Sequence, residues 1–349
     1  MKEDRNGLIS PIQEHIKAVV HRWMDPNGDG DPSDGIDGWR LDVADQVNIE
    51  FWKNFRLWVN QINPNAYLTG EVWWDDFWNN KMINAEPWLR GDAFHGVMNY
   101  RLADALFKFF LEKKTAISPT EFVDLLNGMI NDYGLETFFN LQNVLGSHDT
   151  ERLASACVNP SRWIDHANNL KYNPEFKVHK PNNDERQLQK LIVAFQFLFP
   201  GAPYIYYGDE VGMWGADDPD CRKPMIWEEL KYEDESNHPL GLYRKIDTVE
   251  SDEDLFFFYK RMIELRKNFP ALVHGDFKVL HADNDTGLLV ISRKYNGQQI
   301  LGIFNRTDYL LNYFIPPLNS ILLDGEILFG NDNRRHSINR HSFQLILCK

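Results

Sequence analysis

Apolar residues recur at helical spacing from Ile9 to Trp23, through Ile12, Ile16, Val19, Val20 and Trp23. The polar loop DPNGDGDPSDG follows, and the run Ile36–Val43 predicts a strand. Asn48–Ile62 has the helical pattern again (Phe51, Trp52, Phe55, Trp58, Val59, Ile62), and Ala66–Trp73 predicts a second strand. Further strands are expected at Ala93–Tyr100, within Phe138–Ser147 and at Pro203–Tyr207, and helices at Leu102–Glu112, Pro119–Asp132, Glu185–Phe199 and Asp252–Asn268. Five strands interleaved with helices are the pattern of a parallel α/β domain. After Pro270 the texture changes to short strand-like runs: Phe277–His281, Leu288–Tyr295, Gln299–Asn305, Tyr309–Ile315, Ile321–Leu328 and Ser342–Cys348. Turn signals accompany them at Asn284-Asp285, Asn296-Gly297 and Asp324-Gly325, which predicts a small antiparallel sheet domain. The predicted division is 1–269 and 270–349.

Composition narrows the partners. Of 349 residues, 37 are Lys or Arg and 51 are Asp or Glu, a net charge of −14 that argues against nucleic acid or an anionic membrane. The 11 Trp exceed ordinary packing needs and suit flat ligands such as sugar rings, with packing in a large core the alternative. The three cysteines, Cys157, Cys221 and Cys348, have neither zinc spacing nor an even count, so they predict inert thiols. The polar stretch Met1–Gly7 leads into no apolar run long enough for a signal peptide, and no run approaches the about 18 apolar residues of a membrane span.

Candidate chemistry lies in carboxylates at predicted strand ends. In Gly-Ile-Asp-Gly-Trp-Arg-Leu-Asp (35–42), strand alternation puts Arg40 and Asp42 on one face. A guanidinium there keeps the acid ionised, as a nucleophile requires; a plain salt bridge is the competing reading. Glu71 ends the next apolar run, and Asp149, beside His148, ends a later one. Acids at the C-terminal ends of successive parallel strands are where α/β barrels place active sites.

The blocks GIDGWRLDVA, GEVWWD and VLGSHDTER resemble, in order, three signature blocks of the α-amylase family of glycoside hydrolases. The segment GADDPDCRKPMIW (215–227) is similar to the neopullulanase and cyclomaltodextrinase branch. The resemblance implies a (β/α)8 barrel with a C-terminal β-sandwich domain. It implies a retaining hydrolase that cleaves α-1,4 and α-1,6 bonds of cyclodextrins, pullulan, starch or maltooligosaccharides by double displacement. It makes Asp42 the nucleophile with Arg40 its neighbouring cation, Glu71 the general acid/base, Asp149 the third acid and His148 a donor to substrate hydroxyls. Trp73 would stack an acceptor sugar, with strand–helix packing the alternative for Trp73 and Trp74; Asp218 and Arg222 would hold a donor-side sugar. Such chemistry needs one ionised and one protonated carboxyl about 5–5.5 Å apart.

The 25–37 loop opens as a calcium loop does, with Asp25, Asn27, Asp29 and Gly30 in D-x-N-x-D-G order. Position twelve is Ile36 rather than an acid; Asp31 and Asp37 are the nearby substitutes. A structural Ca2+ is expected there, against the alternative of a solvated acidic turn. The family's first block, with its Asn-His pair, has no counterpart: Asn237-His238 follows the last barrel strand. The barrel is therefore expected to be incomplete, about strands four to eight, and to be completed by a missing N-terminal segment or a second copy of the chain. An inactive fragment or pseudoenzyme that binds glucan or protein is the alternative function. Neither a cytoplasmic nor a periplasmic location is selected.

Overall fold

The computed structural model describes residues 3–4, 7–330 and 336–348; residues 1, 2, 5 and 6 of the polar N-terminal stretch lie outside it. The chain forms two compact units, Met1–Arg101 with Met129–Gln142, and Leu102–Gly128 with Asn143–Lys349.

In the first unit, Gly38–Leu41, Tyr67–Gly70 and Gly96–Val97 form a parallel sheet in that order. Arg40 lies opposite Thr69, and Leu41 opposite Gly70. A parallel bridge from Met98 to Gln142 extends the sheet. Gly38 permits close approach of its neighbour, because a Cβ there would come within 2.1 Å of the Tyr67 carbonyl oxygen. These strands are shorter than the apolar runs that predict them. Their remaining residues turn away as loops, and those loops carry the candidate acids.

The helix Ser10–Met24 matches the predicted period but buries only Val20 and Met24; Trp23, predicted on the apolar face, is 58% exposed. The helix Ile49–Ile62 is capped by Asn48, whose side chain accepts from the Glu50 amide, and it buries Phe51, Trp52, Phe55 and Val59. Trp52 also donates its indole N–H to the Ala44 carbonyl at 2.8 Å, which ties the helix to the segment after Asp42. The chain after Glu71 forms a hairpin that the sequence pattern did not predict, pairing Trp74–Asp76 with Lys81–Met82.

The second unit holds the C-terminal sheet. Its five strands run antiparallel in the order Lys278–Ala282, Leu288–Tyr295, Gln298–Asn305, Ser342–Leu347, Glu326–Gly330. Asn296 (φ 46°) and Gly297 (φ 83°) form a two-residue hairpin loop of the left-handed type that suits strand twist. Asn183–Leu198 starts with a reciprocal cap between Asn182 and Glu185 and is buried from Gln189 through Leu198, the all-round burial of a core helix.

One expectation holds in shortened form and two change. Phe138–Ser147 does contain its expected strand, at Gln142–Asn143, preceded by the helical turn Leu135–Phe138. The Pro203–Tyr207 strand is Ala202–Pro203. Ile321–Leu328 is not one strand: Asn319–Asp324 is helical and ends at Gly325, whose amide bonds back to Ile321, and the strand Glu326–Gly330 follows. An apolar run this short has no distinguishable period, and Asp324-Gly325 marks a helix end rather than a hairpin.

Candidate active site

The first unit brings Arg40, Asp42 and Glu71 together. Glu71 directly follows the strand Tyr67–Gly70, and its amide donates to the Leu41 carbonyl at 2.9 Å. The parallel register thus sets it beside Asp42, which directly follows Gly38–Leu41. One Arg40 guanidinium nitrogen bonds Asp42 and the other meets a Glu71 carboxylate oxygen at 2.7 Å. The other Glu71 oxygen accepts from the Val43 amide at 2.9 Å. Glu71 is buried, whereas the Asp42 side chain is 71% exposed. Burial alone would lower the Arg40 pKa, but the charges of Glu71 and Asp42 outweigh it and the net shift is upward. Arg40 is therefore a fixed cation shared by two acids.

The turn that aims these groups is strained. Val43 has φ 48°, a left-handed conformation that a β-branched residue rarely adopts. That conformation accompanies the Val43 amide's bond to Glu71.

Trp73, two residues beyond Glu71, packs its ring 4.2 Å from that of buried Tyr100 and 5.3 Å from Trp74. It is half-buried, so packing leaves part of the ring accessible.

The second unit brings His148, Asp149, Asp218 and Arg222 together. A Ser147–Thr150 turn presents the acid: the Ser147 amide donates to the Thr150 hydroxyl, and the Asp149 amide to the Ser147 hydroxyl. His148 Nε2 lies 3.1 Å from one Asp149 oxygen and an Arg222 nitrogen 3.3 Å from the other. Arg222 also reaches Asp218 at 2.9 Å and the His148 carbonyl at 2.9 Å.

Arg152 supports this arrangement and received no role from the sequence. Its side chain is fully buried and ion-paired to Asp209 at 2.8 Å. It donates to the carbonyls of Tyr207 and Cys221, fastening the 207–221 loop to the His148–Asp149 block. Burial pushes Asp209 up to about 6, and Arg152 opposes that rise. The sequence signal was the charge-rich end of VLGSHDTER, where Glu151 and Arg152 follow an apolar run. Tyr100 was also missed; its signal was its place at the end of the predicted strand Ala93–Tyr100.

Glu151 is buried and accepts from the Asn168 amide group at 2.6 Å. Asn168 also reaches Asp165 at 3.3 Å. Burial pushes Glu151 up to about 7, and burial together with the Glu151 charge pushes Asp165 up to about 8.

In the 25–37 loop, the Asp25 carboxylate accepts from the amides of Gly28 and Gly30, Asp29 from that of Asp31, and Asp31 from that of Ser33. Asn27 bonds Asp29 at 3.0 Å. Among the described residues no three His, Cys, Asp or Glu side chains converge as a metal set. A calcium ion would therefore have to draw most of its about six to eight oxygens from backbone carbonyls and Asn27.

Carboxylates set just beyond the ends of adjacent parallel strands, with a guanidinium between them, are equipped for acid–base and nucleophilic cleavage. Comparison with known proteins identifies the lineage. Residues 9–275 match the alpha-amylase catalytic domain. The chain is similar to a cyclomaltodextrinase of Geobacillus thermopakistaniensis strain MAS1, 36% identical over 273 residues, which is 78% of this chain and 37% of that one. It is also similar to neopullulanase 2 of Thermoactinomyces vulgaris, 34% identical over 294 residues (84% and 40%). Among solved structures, a cyclomaltodextrinase superposes with a TM-score of 0.68 at 28% identity, covering 97% of this chain and 49% of that one. The chain belongs to the alpha-amylase family. Its fold is accordingly a TIM-barrel-like domain followed by an antiparallel sheet, and it spans about two fifths of the length of these two relatives.

Proposed function

We propose that the chain carries the catalytic acids of a retaining α-glucan hydrolase of the cyclomaltodextrinase and neopullulanase kind. Asp42 attacks the anomeric carbon as the glycosidic bond breaks, and Glu71 gives its proton to the leaving oxygen. Glu71 then removes a proton from the water that opens the glycosyl–Asp42 ester, so configuration is retained. To act as the acid, Glu71 must release one of its two donors, since both its oxygens accept in the resting arrangement. Asp149 and His148 hold sugar hydroxyls, Asp218 and Arg222 a donor-side sugar, and Trp73 an acceptor sugar. The carrying observation is the Arg40 guanidinium joined to Asp42 and Glu71 at adjacent strand ends.

The same reading makes 1–269 the later part of a (β/α)8 barrel, about strands four to eight, and 270–349 a C-terminal sandwich domain. Among the described residues Gly38–Leu41 is an edge strand, paired on one side only, which supports completion by further chain or a second copy. Calcium in the 25–37 loop is a structural proposal, checked by whether EDTA lowers the melting temperature and Ca2+ restores it.

The experiment is release of reducing ends from β-cyclodextrin, pullulan and starch, with Asp42→Asn in parallel. Release that the variant abolishes supports the reading and ranks the substrates. A folded chain that releases nothing overturns the activity of this chain and leaves glucan or protein binding as its role.

A further inference from the structure

Beyond Trp73, a chain of aromatic rings continues outward through the unpredicted hairpin. Trp74 packs edge-on to Phe77 with centroids 5.1 Å apart, and Phe77 packs edge-on to Trp78 at 5.2 Å. Exposure is graded along the series. Tyr100 is buried, Trp73, Trp74 and Phe77 are half-buried, and Trp78 is 84% exposed. Edge-on packing engages at most one face of the Trp78 indole, so at least one face stays open to solvent.

The turn that holds Trp78 out is rigidly built. The Asp76 carboxylate accepts from both the backbone amide and the side-chain amide of Asn79, at 3.2 and 2.7 Å. Asn80 closes the turn in the left-handed conformation at φ 50°, its amide bonded to Phe77. Lys81 ion-pairs with Asp75 across the hairpin, and the Ile83 amide returns to the Trp73 carbonyl at 2.7 Å. A fully solvated indole on a loop would ordinarily be mobile and energetically idle. Here an acid cap, an ion pair and a left-handed residue hold the backbone that carries it, at the far end of a ring series that begins two residues from Glu71.

We propose that the 74–82 hairpin is an outlying carbohydrate subsite in which the open face of Trp78 stacks a neutral glucose unit of an α-glucan chain. This inference rests on the α-glucan reading above. A flat apolar ring face on a hairpin that also carries Asp75, Asn79 and Lys81 matches a sugar, which offers C–H groups on one face and hydroxyls around its rim. A short substrate that fills only the site at Glu71 would not reach Trp78; a longer oligosaccharide would. Trp78 therefore acts on chain-length preference and is not a catalytic residue.

The test titrates the full chain with maltose and with maltoheptaose by calorimetry, for the wild type, Trp78→Ala and Trp78→Tyr, with hydrolysis of both sugars measured alongside. Trp78→Ala is expected to weaken maltoheptaose binding about three- to tenfold, to leave maltose unchanged, and to keep the wild-type melting temperature. Trp78→Tyr should recover most of the loss, since its ring still stacks. Wild-type binding of maltoheptaose that is unaltered in Trp78→Ala, or weakened equally for maltose, overturns the subsite while leaving the hydrolase reading in place. A change in oligomeric state on Trp78→Ala with glucan binding unaltered overturns it in favour of a protein-binding surface. A wild type that neither binds nor cleaves any glucan overturns the hydrolase reading itself, and the subsite with it.

Discussion

Asp42 and Glu71 share a guanidinium, whereas Glu151 and Asp165 have other carboxylates as their charged neighbours, Asp217 near both and Asp149 near Asp165. The first pair has a cation beside it, with Asp42 exposed and Glu71 buried. The second is buried, bridged by the neutral Asn168, and pushed up to about 7 and about 8. Four chemically similar groups thus serve opposite ends. A carboxyl with a cation beside it can do charged chemistry, while one buried without a cation keeps its proton and becomes a pH-sensitive part of the framework.

The comparison can be broken at several points. The largest effect is expected from Asp42→Asn, which removes the proposed nucleophile; kcat on β-cyclodextrin should fall by about four orders of magnitude or more, read as reducing-end release. Arg40→Leu should follow, because it leaves buried Glu71 without its cation. Urea unfolding should register a loss of about 1–3 kcal/mol, together with lost activity.

The buried pair predicts a pH dependence of opposite character. The unfolded chain releases these protons near pH 4, whereas the folded chain holds them up to about 7 and about 8. The stabilisation is therefore full below about pH 4 and is lost as pH rises through the folded values. Glu151→Gln should flatten the fall in unfolding free energy, read by urea titration, between pH 5 and pH 8.5 by on the order of 1–2 kcal/mol. An unchanged slope in that variant would remove Glu151 from the account. The smallest effect is expected from Arg222→Lys. Losing the fork that reaches Asp149, Asp218 and the His148 carbonyl should raise KM several-fold with little change in melting temperature.

Much of this was legible in the residues, and the failures have physical causes. Leu288–Tyr295 and Asn183–Leu198 were read closely, because a tight turn signal and a capping pair mark their limits. Ala66–Trp73 was too long by four residues, since Glu71–Trp73 are apolar-flanked but serve the site rather than the sheet. The 319–330 segment failed because a six-residue helix and a strand share one apolar run. The alternation of Arg40 and Asp42 was visible, but the grip of Arg40 on Glu71 was not. It depends on the register that sets Arg40 opposite Thr69, a pairing of positions 29 residues apart (69 − 40) that no single segment encodes. Arg152 went unassigned because a charged side chain is ordinarily read as solvated, and only packing reveals one with no exposure.

The left-handed Val43 carries an evolutionary consequence. A residue held in that conformation stores about 1–3 kcal/mol that a glycine would not. Selection for heat resistance alone should therefore favour Val43→Gly, with a melting temperature above that of the parent. The same replacement frees the backbone that aims an amide at Glu71, so turnover should drop as stability rises. Durability and catalysis would then pull in opposite directions on a single backbone torsion.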